Sequence, residues 1–210
     1  MLLFSSITHV LATQRTLSMR PYCNQCQYPE VTCICDDITV STSPIDIVII
    51  QHRKEHSHAK NTARLVSLVL KNAVTIFTDD EEAMTALAQR YTESNAALIY
   101  PHSNSTPLES TSKDDRGHLQ TLIFIDGSWK QAYGIVKSFP WLEALPMFHF
   151  ENAPRSNYRI RHTSVNNALS TLEAVAYSLE CLCHSNVTNL YSAQEAMQRH
   201  FKSPAQHHRK

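Results

Sequence analysis

A chain of 210 residues with a formal net charge of zero fits one ordinary domain, or one with a small appendage, and shows no global charge that would announce a nucleic-acid partner. Its hydrophobic share of 42% can fill a core and excludes general disorder, while no apolar run approaches the roughly 18 residues that span a bilayer. The three glycines, Gly117, Gly127 and Gly134, lie far apart; this excludes a G-x-G-x-x-G fingerprint or a P-loop, and with them dinucleotide dehydrogenases and P-loop NTPases.

Residues 1–20 contain no acidic side chain and are rich in Ser and Thr. A secretory signal needs positive charge ahead of its apolar stretch, and that is missing here. The segment reads as a disordered extension or, with Met19 as the natural start, as upstream sequence; a weak organellar transit peptide is the alternative. Beyond it, Ile45–Ile50 reads as a buried strand. Residues 61–71 carry Leu65, Leu68 and Val69 at helical spacing. Ala73–Phe77 is the next strand, and 80–91 a helix with acidic residues in its first turn, which suits the helix dipole. Ala96–Tyr100 is a third strand closed by Pro101, and the polar stretch 102–118 a mobile loop. The apolar run 121–125 is a buried strand, followed by a helix over 131–138 that ends near Phe139-Pro140. A short strand at 147–150 precedes a polar segment, 151–167, in which Tyr158 and Ile160 mark a further strand. Helices over 169–183 and 192–200 complete the chain. Alternating strands and helices predict an α/β fold, its largely parallel sheet flanked by helices.

Cys23-x-x-Cys26, six residues and Cys33-x-Cys35 place four thiols within 13 residues. The segment offers almost no apolar core, and a tetrahedral four-thiolate zinc site would hold it together. Redox chemistry at Cys23-x-x-Cys26 and two disulfides are the alternatives, the latter needing an oxidising compartment that no signal sequence supports. Four cysteines close the metal's shell to substrate, so such a zinc is structural. Cys181 and Cys183 read as core or incidental. His52, His56 and His58 lie near Glu55 without completing H-E-x-x-H. Metal binding there stands against a polar loop that brings His52, Arg53 or Lys54 to a ligand.

Asp126-Gly127-Ser128-Trp129-Lys130-Gln131-Ala132 sets a carboxylate where a strand ends, the place where open α/β sheets bind ligands. The plainer possibility is that Asp126 caps the following helix, although Ser128 can also do so. Arg155, Arg159 and Arg161 cluster with Tyr158. They can hold phosphates or a carboxylate bidentately, or charge a solvated edge strand. Ser170 and Glu173 form a capping box, and the same helix N-terminus presents N–H groups to an anion.

Taken together, these motifs resemble the DTW-domain family from Cys23 to Cys183. The resemblance is carried by the cysteine quartet, Gln51-His52 with Asn61-Thr62-Ala63-Arg64-Leu65, the Asp126 motif, Ser156-x-Tyr158-Arg159-Ile160-Arg161 and Ser170-Thr171-Leu172-Glu173-Ala174. Ser128 stands where the family usually has Thr, and both carry a hydroxyl. The resemblance implies a SPOUT-like fold with a C-terminal knot, and a tRNA-uridine aminocarboxypropyltransferase. Such an enzyme moves the 3-amino-3-carboxypropyl group of S-adenosylmethionine to N3 of a uridine, leaving methylthioadenosine. Asp126 would be the general base. Ser128, Trp129, Tyr158, Arg159, Arg161, Ser170, Thr171 and Glu173 would bind the donor. The tRNA would meet Arg53, Lys54, Arg64, Arg155 and the basic tail 199–210. Zinc would sit at Cys23, Cys26, Cys33 and Cys35. The implied organisation is a zinc element over 21–40 and a catalytic domain over 41–210, cytoplasmic and without a membrane partner. A SPOUT-type RNA methyltransferase and a zinc-containing RNA-binding protein without catalysis are the competing functions.

Overall fold

The computed structural model describes residues 20–91, 95–111, 118–160 and 168–201. Its elements are β1 (Asp46–Gln51), α1 (Arg53–His56), α2 (Ala63–Val69), β2 (Ala73–Phe77), α3 (Glu81–Arg90), β3 (Ala96–Ile99) and β4 (Thr106–Pro107). They continue with β5 (Thr121–Asp126), α4 (Trp129–Ser138), β6 (Met147–His149), α5 (Thr171–Cys183) and α6 (Thr188–Arg199). The six strands form one sheet in the order β2-β1-β5-β3-β6-β4, with every neighbouring pair parallel.

Strands buried on both faces read as continuous apolar runs, and β1 and β5 are such strands. Ile47, Ile49, Leu122 and Phe124 point into one core with Leu65, Val66, Leu172, Val175 and Leu190, so α2, α5 and α6 cover that face. Val48, Ile50 and Ile123 point the other way, against Met84, Leu87, Ile135 and Val136 of α3 and α4. From β1 the chain moves outward to β2, and from β5 it moves the opposite way to β6. Between these two strands the winding reverses, and such a switch point opens a crevice at the strands' carboxyl ends.

Four expectations are corrected. The helix expected over 131–138 starts at Trp129, because Ser128 is its N-cap and Gln131 closes a capping box. The loop expected over 102–118 holds β4 and a 3-10 turn at Leu108–Ser110 in its described part. Residues 158–160 form no strand: the backbone N–H groups of Asn157, Tyr158 and Arg159 donate to the side chains of Glu173, Ser156 and Gln198, so no ladder partner is needed. The cysteine segment is not without a core. Cys26, Tyr28 and Ile34 are buried in the same cluster as Leu65 and Leu190, and Arg199 of α6 pairs with Asp37 at 2.6 Å. Among the described residues, no helix is long and apolar enough to cross a membrane.

Candidate active site

The ends of β1 and β5 lie side by side, with Gln51 and Asp126 as register partners at the switch point. Asp126 is 6% exposed, and both its carboxylate oxygens are engaged. Gln51 Nε2 donates to Oδ2 at 2.8 Å, and Asn61 Nδ2 to the same oxygen at 2.9 Å. The Thr171 hydroxyl, at the first residue of α5, donates to Oδ1 at 2.5 Å. An ionised carboxylate offers about four acceptor sites, so three are taken and one remains, on the Thr171 side.

Each donor is held in its turn. Asn61 accepts from Arg64 N at 3.0 Å, at the start of α2, and also donates to the Glu55 carbonyl. Leu172 N donates to Thr62 Oγ1 at 3.4 Å, which ties α2 to α5 beside the carboxylate. On the other side, His52 N donates to the Asp126 carbonyl, and His52 Nδ1 lies 3.2 Å from Gln131 Nε2. Ser128 N donates to Gln131 Oε1 at 2.6 Å. Gly127 lets the turn pack closely, since a Cβ there would lie 3.1 Å from Gln131 Cβ and push that side chain back by a few tenths of an ångström. The capping bonds of α4 belong to Ser128 and Gln131 and not to Asp126.

The remaining sequence-predicted residues divide into several groups. Trp129 is exposed and so is not a core residue. Tyr158 is buried, and its hydroxyl donates to the Lys60 carbonyl while Lys60 Nζ reaches the Ile160 carbonyl at 2.7 Å. Glu173, 3% exposed, accepts from Ser156 Oγ, Ser170 N, Asn157 N and Gln194 Nε2, and so welds the 156–158 segment to α5 and α6. Ser170 caps α5 and donates to Gln194 Oε1 at 3.0 Å. Arg159 forms a bidentate pair with Glu195 at 2.6 and 2.8 Å on the surface. Arg161 and 202–210 of the basic tail lie outside the described residues. Arg53 pairs with Asp79 at 2.8 Å and stacks over Phe77. Arg64 donates to the Gln27 and His56 carbonyls, while Lys54 and Arg155 are exposed. His52, His56 and His58 form no metal-type cluster: among the described residues only the four cysteines do.

Those four sulfurs lie within 4.8 Å of one another, with Cys23–Cys35 at 3.6 Å and Cys26–Cys33 at 3.7 Å. A disulfide would require about 2.05 Å. Tetrahedral zinc at about 2.3 Å from each sulfur sets the sulfurs about 3.8 Å apart. The donor set fits zinc. The knuckle turns at Gln27, whose φ of 59° is left-handed, and Gln27 N donates to the Cys23 carbonyl at 2.9 Å. Backbone N–H groups of Cys26 and Gln25 lower the Cys23 thiol to about 6, whereas burial and its sulfur neighbours push Cys35 up to about 12. Thiolates gathered this closely call for a cation.

Gln51, Asn61 and Thr62 received no role from sequence reasoning. A polar residue ending an apolar strand was the available signal for Gln51. The approach of Asn61 to Asp126 across 65 positions had none.

Fold and site together define an α/β protein with a clamped carboxylate at the switch point of a parallel sheet, and four thiols in its N-terminal segment placed so that they could hold a metal ion. The chain belongs to the DTW-domain family, whose model matches residues 20–208. It is 31% identical over 175 residues to tRNA-uridine aminocarboxypropyltransferase 2 of Mus musculus, covering 80% of this chain and 58% of that protein. It is 32% identical over 170 residues to the Drosophila melanogaster protein of the same name, covering 78% and 67%. The chain thus spans less than two thirds of the mouse relative's length. No solved structure matches it.

Proposed function

We propose that this protein transfers the 3-amino-3-carboxypropyl group of S-adenosylmethionine to N3 of a uridine in tRNA, forming acp3-uridine and methylthioadenosine. The observation that carries the proposal is the single remaining acceptor site on Asp126, at the switch point where α/β sheets bind ligands. N3 of uridine becomes a nucleophile only when its proton leaves, so a positioned base is required. Asp126 accepts that proton at Oδ1, while Gln51 and Asn61 hold Oδ2 and fix the carboxylate plane. The donor supplies a sulfonium leaving group, and transfer from the propyl carbon rather than the methyl is a matter of alignment.

Thr171 borders both base and donor, since its hydroxyl already touches Asp126. Ser128 and Trp129 open α4 on the opposite side. Tyr158, Ser170 and Glu173 serve the donor by fixing the 156–160 segment and the start of α5. Arg159 clamps the donor carboxylate by exchanging Glu195 for it, and Arg161 completes the clamp. The tRNA backbone meets Lys54 and Arg155 directly. Arg53 and Arg64 reach it with N–H groups left over from their present partners.

Zinc in the cysteine quartet is structural, as the sulfur spacings support. Residues 21–40 form the zinc element and 41–210 the catalytic domain; the extension expected ahead of them lies, over residues 1–19, outside the described residues. A SPOUT-like fold with a C-terminal knot belongs to the same reading and rests on the family resemblance alone. A cytoplasmic location suits four thiols kept unpaired.

The test uses purified protein, tRNA and S-adenosylmethionine labelled either in its carboxypropyl carbons or in its methyl. Carboxypropyl label should enter RNA; methyl label alone would establish the methyltransferase reading instead. Asp126→Asn should lower transfer by about 10²–10⁴-fold with tRNA binding intact. Binding without transfer by the wild-type protein would leave an RNA-binding protein without catalysis.

A further inference from the structure

Helix α4 has a buried face, Ala132, Ile135 and Val136, and an outer one with unusual content. Lys130, Tyr133, Gly134 and Lys137 stand at i, i+3, i+4 and i+7, so they form a single stripe. All four are exposed, Tyr133 at 60%, and Trp129 begins the stripe at 53%. The helix contains two lysines and no acidic residue.

Gly134 sharpens the argument. A glycine inside a helix costs about 1 kcal/mol relative to alanine. A Cβ at this position would have no atom within 4 Å, so nothing among the described residues requires its absence. An outside partner that approaches the helix backbone closely would require it.

Two exposed aromatic rings a helical turn apart, flanked by lysines, suit stacked bases and phosphates. A second copy of the chain suits them poorly, because a two-fold interface would bring Lys130 and Lys137 towards like charges. Lys137 now pairs with Glu143 at 2.5 Å and lies 5.9 Å from the Tyr133 ring centre. A phosphate would compete for that ammonium.

We propose that this stripe of α4 is a docking track for a single-stranded tRNA segment: Tyr133 stacks on a base, Lys130 and Lys137 meet phosphates, and Gly134 admits the sugar–phosphate backbone. The track leads to the Asp126 turn at the helix start. This inference rests on the proposed tRNA function.

The full-length protein is titrated with tRNA at several salt concentrations and assayed for carboxypropyl transfer. Tyr133→Ala should weaken binding about tenfold, with kcat at saturating tRNA unchanged. Lys130→Ala should lower the slope of log affinity against log salt by about 0.7. Gly134→Ala should raise the thermal midpoint yet weaken tRNA binding several-fold, an opposition that a purely structural glycine would not produce. Wild-type affinity in all three variants, with wild-type transfer intact, would overturn the track and leave the function standing. A wild-type protein that neither binds nor modifies tRNA would overturn both. A wild-type dimer that Tyr133→Ala converts to monomer would assign the face to a second copy and overturn the track.

Discussion

The clamp on Asp126 can be measured without any substrate. Gln51 is 2% exposed, and its amide donates to Asp126 Oδ2 at 2.8 Å. A hydrogen bond to a charged group contributes about 1.5–3 kcal/mol, and one between neutral groups about 0.5–1.5. Leucine nearly matches glutamine in volume, so Gln51→Leu removes the donor without opening a large cavity. Alone it should cost about 1.5–3 kcal/mol, less what burying the leucine returns. In an Asp126→Asn background the same substitution removes only a neutral pair, because asparagine can turn its oxygen towards Gln51 and Asn61. The two effects should therefore differ by about 1 kcal/mol, well outside the 0.3–0.5 within which independent sites add. Urea unfolding of the four proteins at neutral pH gives the number. If Asp126 is the base, Gln51→Leu should show a lower kcat for transfer with little change in the KM for tRNA, since the Gln51 amide donates to that carboxylate. Additive stabilities would show that Gln51 does not hold the carboxylate, and the account of its remaining acceptor site would fail with it.

Other consequences can be checked separately. Cys23→Ser or Cys33→Ser should each lose about one equivalent of zinc by metal analysis and melt at lower temperature, because Cys26, Tyr28 and Ile34 are anchored in the main core; unchanged metal content would remove the zinc site. Burial acts to raise Glu109, but donation from the N–H groups of Asn152 and Glu151 and from the Tyr177 hydroxyl outweighs it and holds the carboxyl below its ordinary 4.5. A lowered carboxyl stabilises the fold above its unfolded value, and that contribution is lost as pH falls through the folded value. The urea midpoint of wild type should therefore exceed that of Glu109→Gln at pH 7, and the gap should narrow as the pH falls below the ordinary carboxyl value of 4.5; a gap that does not change with pH would refute the bonding. Glu195→Ala should change stability by less than about 1 kcal/mol, since the Arg159–Glu195 side chains are 60% and 55% exposed. If Arg159 clamps the donor, freeing it should not raise the KM for S-adenosylmethionine.

The strands were the most legible part of the chain. Ala73–Phe77 appears in the structure with the bounds read from sequence, and β1 and β5 each shift or extend by one residue, because an apolar run bounded by polar residues marks a buried strand directly. Helix starts were less legible: α6 begins at Thr188, four residues ahead of the apolar pattern read from Ser192, since its first turn is set by local packing around Val187 and Leu190. The segment around Tyr158 misled, because its alternation of apolar residues looks like a strand. Buried side-chain acceptors, Glu173 and Gln198, hold it as a turn instead, and period-2 patterning cannot reveal them.

By itself the sequence determined the alternating α/β class, the cysteine quartet with its metal-type spacing, and the family motifs, all of which depend on residues close together in the chain. Only the tertiary structure decided that Gln51, Asn61 and Thr171 converge on Asp126 from separations of 75, 65 and 45 positions. It also decided that Arg64 and Arg159 are already partnered, and that Trp129 and Tyr133 face solvent. The physical reason is the parallel sheet. Its crossovers carry strands that are distant in sequence to one edge, where short side chains meet at hydrogen-bond distance, and no periodicity within a single element encodes that meeting.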